Sequence, residues 1–190
     1  PNEKPATQTE VGNTVFKTVN DMFYEFSYRQ ATVTGNVIGW FTLPINSTES
    51  CDVMTNLLPK IAQQMARNAG VNLSQYSHLI YFFPRTNSCP WGALGDLGGN
   101  PGSIWLNGVN TGPVTAHEMG HNLGLYHAHA LDCQGAVNTG SCAELDVGDY
   151  GDTMGSMSVY DGPHFNAYEK EHIGWLNTAA SPPILTVTTS

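Results

Sequence analysis

The sequence is poor in basic residues. Seven of its 190 residues are Lys or Arg, against sixteen Asp or Glu, and the formal net charge at pH 7 is -9. Proteins that bind nucleic acids neutralise phosphates with clusters of Lys and Arg. Because the few basic residues are scattered, the sequence argues against nucleic acid as a partner.

Long apolar runs are also absent. No stretch approaches the eighteen or more consecutive apolar residues that indicate a membrane-spanning helix, although 41% of the residues are hydrophobic and 10% are aromatic. This content is typical of globular proteins, and the length suits one domain whose core a cleft can divide. We therefore expect one monomeric catalytic or binding domain over residues 1–190, without a membrane span.

Cysteine is rare but even in number. Cys51, Cys89, Cys133 and Cys142 allow three pairings. We favour Cys133 with Cys142, which closes a short Gly-rich loop, and Cys51 with Cys89 by elimination; four free thiols in a reducing compartment are the alternative. The chain begins at Pro1 without an initiator Met or an apolar leader. We therefore expect a processed, secreted chain whose signal and any pro-segment are not shown.

One stretch of the sequence, TAHEMGHNLGLYH at residues 115–127, concentrates imidazoles. His117 and His121 stand four residues apart, so on a helix they share a face and can bind one metal ion. Gly124 allows the helix to end in a left-handed turn, which returns His127 toward the metal. Three neutral imidazoles with an open fourth position are typical of a catalytic zinc site, whereas structural sites are closed, usually by cysteines.

Two neighbours of these histidines bear on the chemistry. Glu118 lies beside the metal-binding face, where a carboxylate can reach a metal-bound water without becoming a ligand, as a general base must. His129 is a rival third ligand, but His127 has the spacing that follows from the turn after Gly124. Calcium is a further possible cofactor without a specific motif, because one loop holds three acids whose spacing does not match an EF-hand: Asp146, Asp149 and Asp152.

The complete pattern HExxHxxGxxH resembles that of the metzincin zinc endopeptidases. Within the metzincins, three segments are most similar to the gametolysin family: HNLGLYHA, DYGDTMG and HFNAYEKEHIGWL. The resemblance covers roughly residues 112–176. It implies an α+β fold with a mixed twisted sheet and two long helices above the cleft, and a smaller, mostly irregular C-terminal part with one helix below.

The resemblance also implies how the chain divides around the cleft. The upper subdomain is 1–127 with the zinc helix at about 112–124, and the lower subdomain is 128–190 with the Met-turn at about 152–157 and a C-terminal helix at about 165–176. In metzincins the strand before the zinc helix is the sheet edge that lines the cleft. By resemblance, the residues that offer unpaired backbone groups to an extended protein or peptide substrate are Ser103, Ile104, Trp105, Leu106 and Asn107.

Met154 is implied to be the methionine of the Met-turn, packed beneath the zinc site, and Met157 in the same Gly- and Ser-rich segment is the alternative. Some metzincins carry a Tyr two residues after the methionine, able to bind zinc or the developing oxyanion. This sequence has Ser156 there, so the oxyanion partner stays open. Tyr160 and His164 are the candidates for that role or for a fifth ligand.

Periodicity and turn signals predict further elements. Residues 1–10 are expected to be an ill-ordered or surface-lying end. Helices are predicted at Val11–Tyr28, at Cys51–Asn68 with a kink or boundary at Pro59, and at Phe165–Leu176. The last of these is expected to pack four side chains inward: Phe165, Tyr168, His172 and Trp175. Strands are predicted at His78–Phe83, Ile104–Leu106 and, at the end of the chain, Ile184–Thr189, with two more within Gln30–Leu43 around a Gly35–Asn36 turn.

These features predict a secreted zinc-dependent endopeptidase that hydrolyses peptide bonds of extracellular proteins or glycoproteins. A zinc-bound water attacks the scissile carbonyl and Glu118 takes its proton. The alternatives are a catalytically silent zinc-binding adhesin or receptor fragment and a zinc hydrolase of non-peptide bonds. Glu118 argues against the silent module, because a purely structural site has no use for a base beside an open coordination position.

Overall fold

A computed structural model describes residues 3–135, 141–156 and 164–187. It confirms the predicted α+β class, with a three-stranded mixed sheet, helices packed against it, and a two-stranded hairpin. No helix within the described ranges is long and apolar enough to cross a bilayer.

The first helix begins earlier than predicted. It consists of α1 (Gln8–Asn13), a π-helical segment (Thr14–Val19) and α2 (Asn20–Phe26). Thr7 caps α1, because its hydroxyl accepts from the Glu10 amide at 3.2 Å and the Glu10 carboxylate accepts from the Thr7 amide at 2.6 Å. Residues 8–10 are therefore helical and exposed, so of the two expectations for this end the surface-lying one applies to them.

The predicted hairpin within Gln30–Leu43 is wrong, since residues 30–43 form no strand. A strand needs a neighbouring backbone for its N–H and C=O groups, and here helix side chains take some of them. The Ala31 amide donates to the Ser27 hydroxyl at 2.8 Å, and the Val33 amide donates to the Asn20 side chain at 2.8 Å. Alternating polarity therefore reflected partial burial of an irregular segment.

The second predicted helix is present as a helical turn at residues 51–52, a π-helical segment (Val53–Leu57) and α3 (Leu58–Asn68). Pro59 lies in the first turn of α3, where its missing N–H needs no helical partner. Pro59 thus marks the boundary between two pieces. The disulfide between Cys51 and Cys89, as predicted, ties the start of this helix to the loop after the first strand.

The sheet has the strand order β1-β3-β2, formed by β1 (His78–Phe83), β2 (Ala93–Gly95) and β3 (Gly102–Asn107). The two predicted strands are confirmed as β1 and β3, which pair in parallel, and β2 pairs antiparallel to β3. The core lies between this sheet, α2 and the helix that follows β3, and its members include Val19, Phe23, Phe26, Ile104, Leu106, Ala116, Met119, Met154 and Phe165.

The prediction that Ser103, Ile104, Trp105, Leu106 and Asn107 form the sheet edge is wrong. These residues lie on the central strand, with β1 on one side and β2 on the other. The Asp96 amide donates to the Ser103 carbonyl at 2.9 Å, and the Asn107 amide donates to the Gly92 carbonyl at 2.8 Å, so pairing continues at both ends of β2. The edge on this side of the sheet is β2.

Beyond the sheet, α4 (Gly112–Asn122) precedes a hairpin of β4 (Ala130–Asp132) and β5 (Ala143–Leu145), and α5 (Ala167–His172) follows. The predicted disulfide between Cys133 and Cys142 closes the hairpin. No strand occurs among residues 184–187, and residues 188–189 of the predicted terminal strand lie outside the described ranges.

The last helix is shorter than the predicted Phe165–Leu176. Asn166 caps α5 in a capping box with Glu169, and the left-handed Gly174 (φ 77°) follows its end. Phe165 is buried and Trp175 packs on the core, as predicted. Tyr168 and His172 are exposed instead, because a six-residue helix that starts at Ala167 turns Glu169 and Lys170 inward.

Candidate metal centre

Helix α4 presents two of the predicted ligands and ends as predicted. Its N-cap Thr111 is extended, and Pro113 occupies the first turn. After the C-cap Leu123, Gly124 takes φ 93°, and the Leu125 amide donates back to the Gly120 carbonyl at 3.0 Å. This left-handed turn redirects the chain by a route that a residue with a Cβ would adopt only at a cost.

The turn brings His127 to His117 and His121. Each of the three offers a ligand nitrogen, and these nitrogens all lie within 4.8 Å of one another. Within the part of the chain that the structure describes, no other three His, Cys, Asp or Glu residues converge in this way. The three histidines predicted as ligands therefore form one cluster.

The Nδ1 atom of each ring faces a carbonyl or carboxylate oxygen, which can only accept a hydrogen bond. The Nδ1 of His117 donates to the Thr153 carbonyl at 2.8 Å, and that of His121 donates to the Leu125 carbonyl at 2.8 Å. The Nδ1 of His127 lies 3.1 Å from the Asp146 carboxylate. These partners fix the proton on Nδ1, so each Nε2 keeps its lone pair for a metal.

This donor set fits zinc. Imidazole nitrogens bind Zn²⁺ at about 2.0–2.1 Å, which places tetrahedral ligands about 3.4 Å apart. Side-chain shifts of about 1 Å bring the three nitrogens from their present separations to that spacing. Three ligands without cysteine leave a fourth position open, as in catalytic sites.

Burial favours the neutral form of His117 and His121. It lowers the pKa of His117 to about 4, with a smaller contribution from repulsion by His121 and His127, and lowers the pKa of His121. Metal ligands must be deprotonated, so two of the three imidazoles are held in the binding form at neutral pH without competition from protons.

The rival ligand His129 is not a member of the cluster. Its Nδ1 contacts Glu144 and its Nε2 lies 3.3 Å from Asp146. Asp146 thus bridges His129 and the predicted ligand His127. Sequence reasoning considered Asp146 as a calcium ligand or a solvated loop acid, and no local signal indicated this contact, because His127 lies 19 residues earlier in the chain.

Glu118 lies beside the histidines without joining them as a ligand. It is 6% exposed, and burial raises the pKa of its carboxyl to about 7. A group that titrates near neutral pH can both accept and return a proton there. The geometry and the acidity therefore suit the predicted general base.

The edge strand β2 passes close to Glu118. A Cβ added at Gly95 would lie 2.6 Å from the Glu118 carbonyl oxygen and 3.1 Å from its Oε2. Asn122 at the end of α4 holds this arrangement, since its side-chain amide donates to the carbonyls of Asp96 at 2.8 Å and Ser103 at 3.0 Å. Only a glycine at position 95 allows the edge to lie this near to the carboxylate.

Met154 lies in a tight turn at residues 152–155, hereafter the Met154 turn, in which the Gly155 amide donates to the Asp152 carbonyl at 3.1 Å. Its side chain is fully buried, and a Cβ at Gly120 of α4 would overlap its sulfur. This is the placement expected of a methionine beneath the histidine-bearing helix. The alternative Met157 lies outside the described residues, as does the last position of the predicted 152–157 turn.

The two candidates for an oxyanion partner or fifth ligand receive no support. Tyr160 lies outside the described residues. The ring of His164 contacts Phe26 and lies 3.3 Å from Glu25 and from the Lys170 ammonium. It is not a member of the imidazole cluster.

The three calcium candidates point to different partners. Asp146 contacts His127 and His129, Asp149 accepts from the Gly151 amide at 2.8 Å, and Asp152 accepts from the Met154 amide at 2.7 Å. They do not converge on one point, so nothing in this loop supports a calcium site.

Comparisons with known proteins agree with this geometry. The family described as Gametolysin peptidase M11 matches residues 7–188. Comparison with curated proteins and with solved structures gives no match. Since the family match spans nearly the whole chain, the protein belongs to the gametolysin peptidase family and is a metallopeptidase.

Proposed function

We propose that this gametolysin-family metallopeptidase is a zinc-dependent endopeptidase, with His117, His121 and His127 as the zinc ligands. The observation that carries the proposal is the convergence of three imidazoles whose Nδ1 atoms all face acceptors. When bound, zinc supplies a Lewis acid that polarises the scissile carbonyl and acidifies water.

The residues of the chain supply the proton transfers. Glu118 accepts a proton from the attacking water and returns it to the leaving amine. Its carboxyl is buried, and burial is what raises its pKa. A nearby cation would favour its carboxylate form, which is the form that a general base needs. The silent binding module has no use for this carboxylate.

We propose that a protein substrate lies extended along β2 rather than along β3. The backbone of β3 is paired on both sides, whereas β2 pairs only with β3 within the described residues. A peptide added to this edge would pass the Glu118 carboxylate at Gly95. In this arrangement residues 1–127 and 128–190 form the upper and lower walls of the cleft.

A digestion assay tests the zinc endopeptidase against both alternatives. We expect cleavage of denatured casein or gelatin at internal bonds, loss of cleavage after treatment with 1,10-phenanthroline, and recovery on addition of stoichiometric Zn²⁺. Zinc binding without cleavage of any protein would favour the silent module. Cleavage of ester substrates alone would favour the hydrolase of non-peptide bonds.

We further propose that the enzyme is secreted and acts on extracellular proteins or glycoproteins. Both pairs of cysteines are disulfide-bonded and no cysteine is free, as is typical of oxidising compartments. We expect native material labelled under denaturing conditions to show no reactive thiol before reduction and four afterwards. Four reactive thiols before reduction would overturn this assignment.

A further inference from the structure

Two buried carboxyl groups lie beneath the metal centre, and the proposed chemistry uses neither. Asp152 belongs to the Met154 turn and is 1% exposed, while Glu169 lies in the first turn of α5 and is 4% exposed. Buried acids are rare unless they are paired or hydrogen-bonded. Each of these two carboxyl groups therefore needs a hydrogen-bonding partner.

The two carboxyls share one donor. The Asn166 amide donates to Asp152 Oδ2 at 2.9 Å and to Glu169 Oε2 at 3.1 Å. Because both oxygens are bonded to the same nitrogen, the carboxyl groups are adjacent. The second oxygen of Asp152 accepts from the Met154 amide at 2.7 Å. Asp152 therefore fastens the Met154 turn to the start of α5.

Adjacent buried carboxyls cannot both be charged at low cost, so one holds a proton that it donates to the other. Glu169 is that acid: burial raises its pKa to about 8, helped by repulsion from Asp152 and by their mutual hydrogen bond. Asp152 is better placed to carry the charge, because two backbone N–H groups point at its oxygens.

The charged neighbours favour one negative charge in the pair, not two. Asp149 repels a charge on Glu169. Lys170 is attracted to Asp152 and Glu25, while burial lowers its pKa. Its ammonium lies 3.3 Å from the His164 ring and 5.0 Å from the centre of the Tyr28 ring. A single ammonium offsets the charge of Asp152 but leaves a second carboxylate uncompensated.

The pair connects to the metal centre through one residue. Thr153 follows Asp152, and its carbonyl accepts from the Nδ1 of His117 at 2.8 Å. Its amide donates to the carbonyl of His164 at 3.2 Å, so a second hydrogen bond holds the Met154 turn to the segment that precedes α5. The direction of the Thr153 carbonyl, and with it the orientation of His117, thus depends on where Asp152 is anchored.

We propose that Asp152 and Glu169, sharing one proton, are positioning residues that aim the Thr153 carbonyl at His117 and so orient this ligand for zinc. The inference rests on the proposed function, because it assigns a role in the zinc site. Glu169 is the donor of the pair and Asp152 the anchor of the Met154 turn. Loss of the shared proton loosens the support of His117 without removing any ligand.

Variants at the pair separate a positioning role from a purely structural one. Glu169→Gln keeps an acceptor for the Asn166 amide and a donor for Asp152, so we expect parental zinc affinity at pH 7, measured by competition with a chromophoric chelator. Glu169→Ala and Asp152→Asn break the pair, and we expect about tenfold weaker zinc binding. Glu171→Gln, an exposed change on the same helix, is the matched control and should have no effect.

The pH dependence of the melting temperature gives a second test, which does not require Glu169→Ala to fold. A pKa raised from 4.5 to about 8 means that the metal-free parent loses stability as pH rises from about 4.5 to 8. The Gln side chain has no such proton to lose, so the melting temperature of Glu169→Gln should rise relative to that of the parent as pH increases across this range. With Co²⁺ bound, the parent absorption spectrum should change near pH 8 in a way that the Gln variant does not show.

The outcomes distinguish this inference from the proposed function. If the parent protein failed to bind Zn²⁺, the proposed function and the zinc role of the pair would both be overturned. If the parent bound Zn²⁺ while Asp152→Asn and all Glu169 variants kept parental affinity and spectra, the positioning role would be wrong and the proposed function would stand. A melting-temperature difference that stayed constant from pH 5 to 8 would overturn the shared proton.

Discussion

Replacement of Glu118 by Gln is expected to lower peptide hydrolysis by ~10²- to 10⁴-fold, the loss associated with removing general acid-base catalysis. The amide has the shape of the carboxyl group but cannot accept the proton of the attacking water. Since Glu118 is not one of the converging ligands, zinc content should stay near that of the parent. The measurement is the rate of casein or peptide cleavage, with zinc determined on the same sample.

The Glu118→Gln change that lowers activity should not lower the stability of the metal-free protein. Burial raises the pKa of Glu118 to about 7, so in the metal-free protein this acid costs stability as pH rises from its ordinary value of 4.5 to about 7. A Gln at this position has no charge to bury. We therefore expect the metal-free Gln variant to melt at a temperature no lower than that of the parent at pH 8.

The exposed Glu171→Gln exchange serves as the control for Glu118→Gln, because it is the same chemical change away from the cluster. A zinc-replete Gln variant that kept more than about a tenth of parental activity would contradict the base assignment, because that ratio corresponds to only ~1.4 kcal/mol of transition-state stabilisation. Loss of zinc together with activity would contradict the expectation that Glu118 is not needed for metal binding, but it would not test the base, so only the activity of zinc-replete protein is compared.

The sequence predicted those parts of the site that local geometry determines. The helical period places His117 and His121 on one face, and Gly124 provides the left-handed turn that carries His127 to them. The disulfide between Cys133 and Cys142 and the strands β1 and β3 also followed from local signals, namely closure of a short loop and short apolar runs between breakers, and the disulfide between Cys51 and Cys89 then followed by elimination.

What the sequence could not predict depends on partners that are distant along the chain. The edge strand β2 is three residues long and lies in a Gly-rich segment, so its pairing with β3 decides its existence. The assignment of β3 as the sheet edge came from the resemblance to metzincins, and the sequence contains no sign of β2 that could correct it. The contacts of Asp146 with His127 and of Asp152 with the start of α5 likewise depend on tertiary packing. Asp146 and Asp152, which the sequence offered as calcium candidates, thus each have a specific partner within the protein.

Replacement of His127 by Ala is expected to abolish stoichiometric zinc binding, whereas replacement of His129 by Ala should preserve it. His127 contributes a nitrogen to the cluster, while His129 contacts Glu144 and Asp146. Removing a ligand should exceed the 10- to 100-fold loss in affinity that follows removal of a residue supporting a ligand. The measurement is zinc per protein after dialysis, followed by chelator competition for each variant.

The two histidines form a matched pair for this experiment, since both are imidazoles that contact the Asp146 carboxylate. A general effect of disturbing Asp146 would weaken zinc binding similarly in both variants, whereas loss of a ligand would appear only in His127→Ala. His129→Ala should show at most a modest decrease, because the Asp146 contact with His127 remains. Retention of full zinc occupancy by His127→Ala together with its loss from His129→Ala would show that the third ligand is His129.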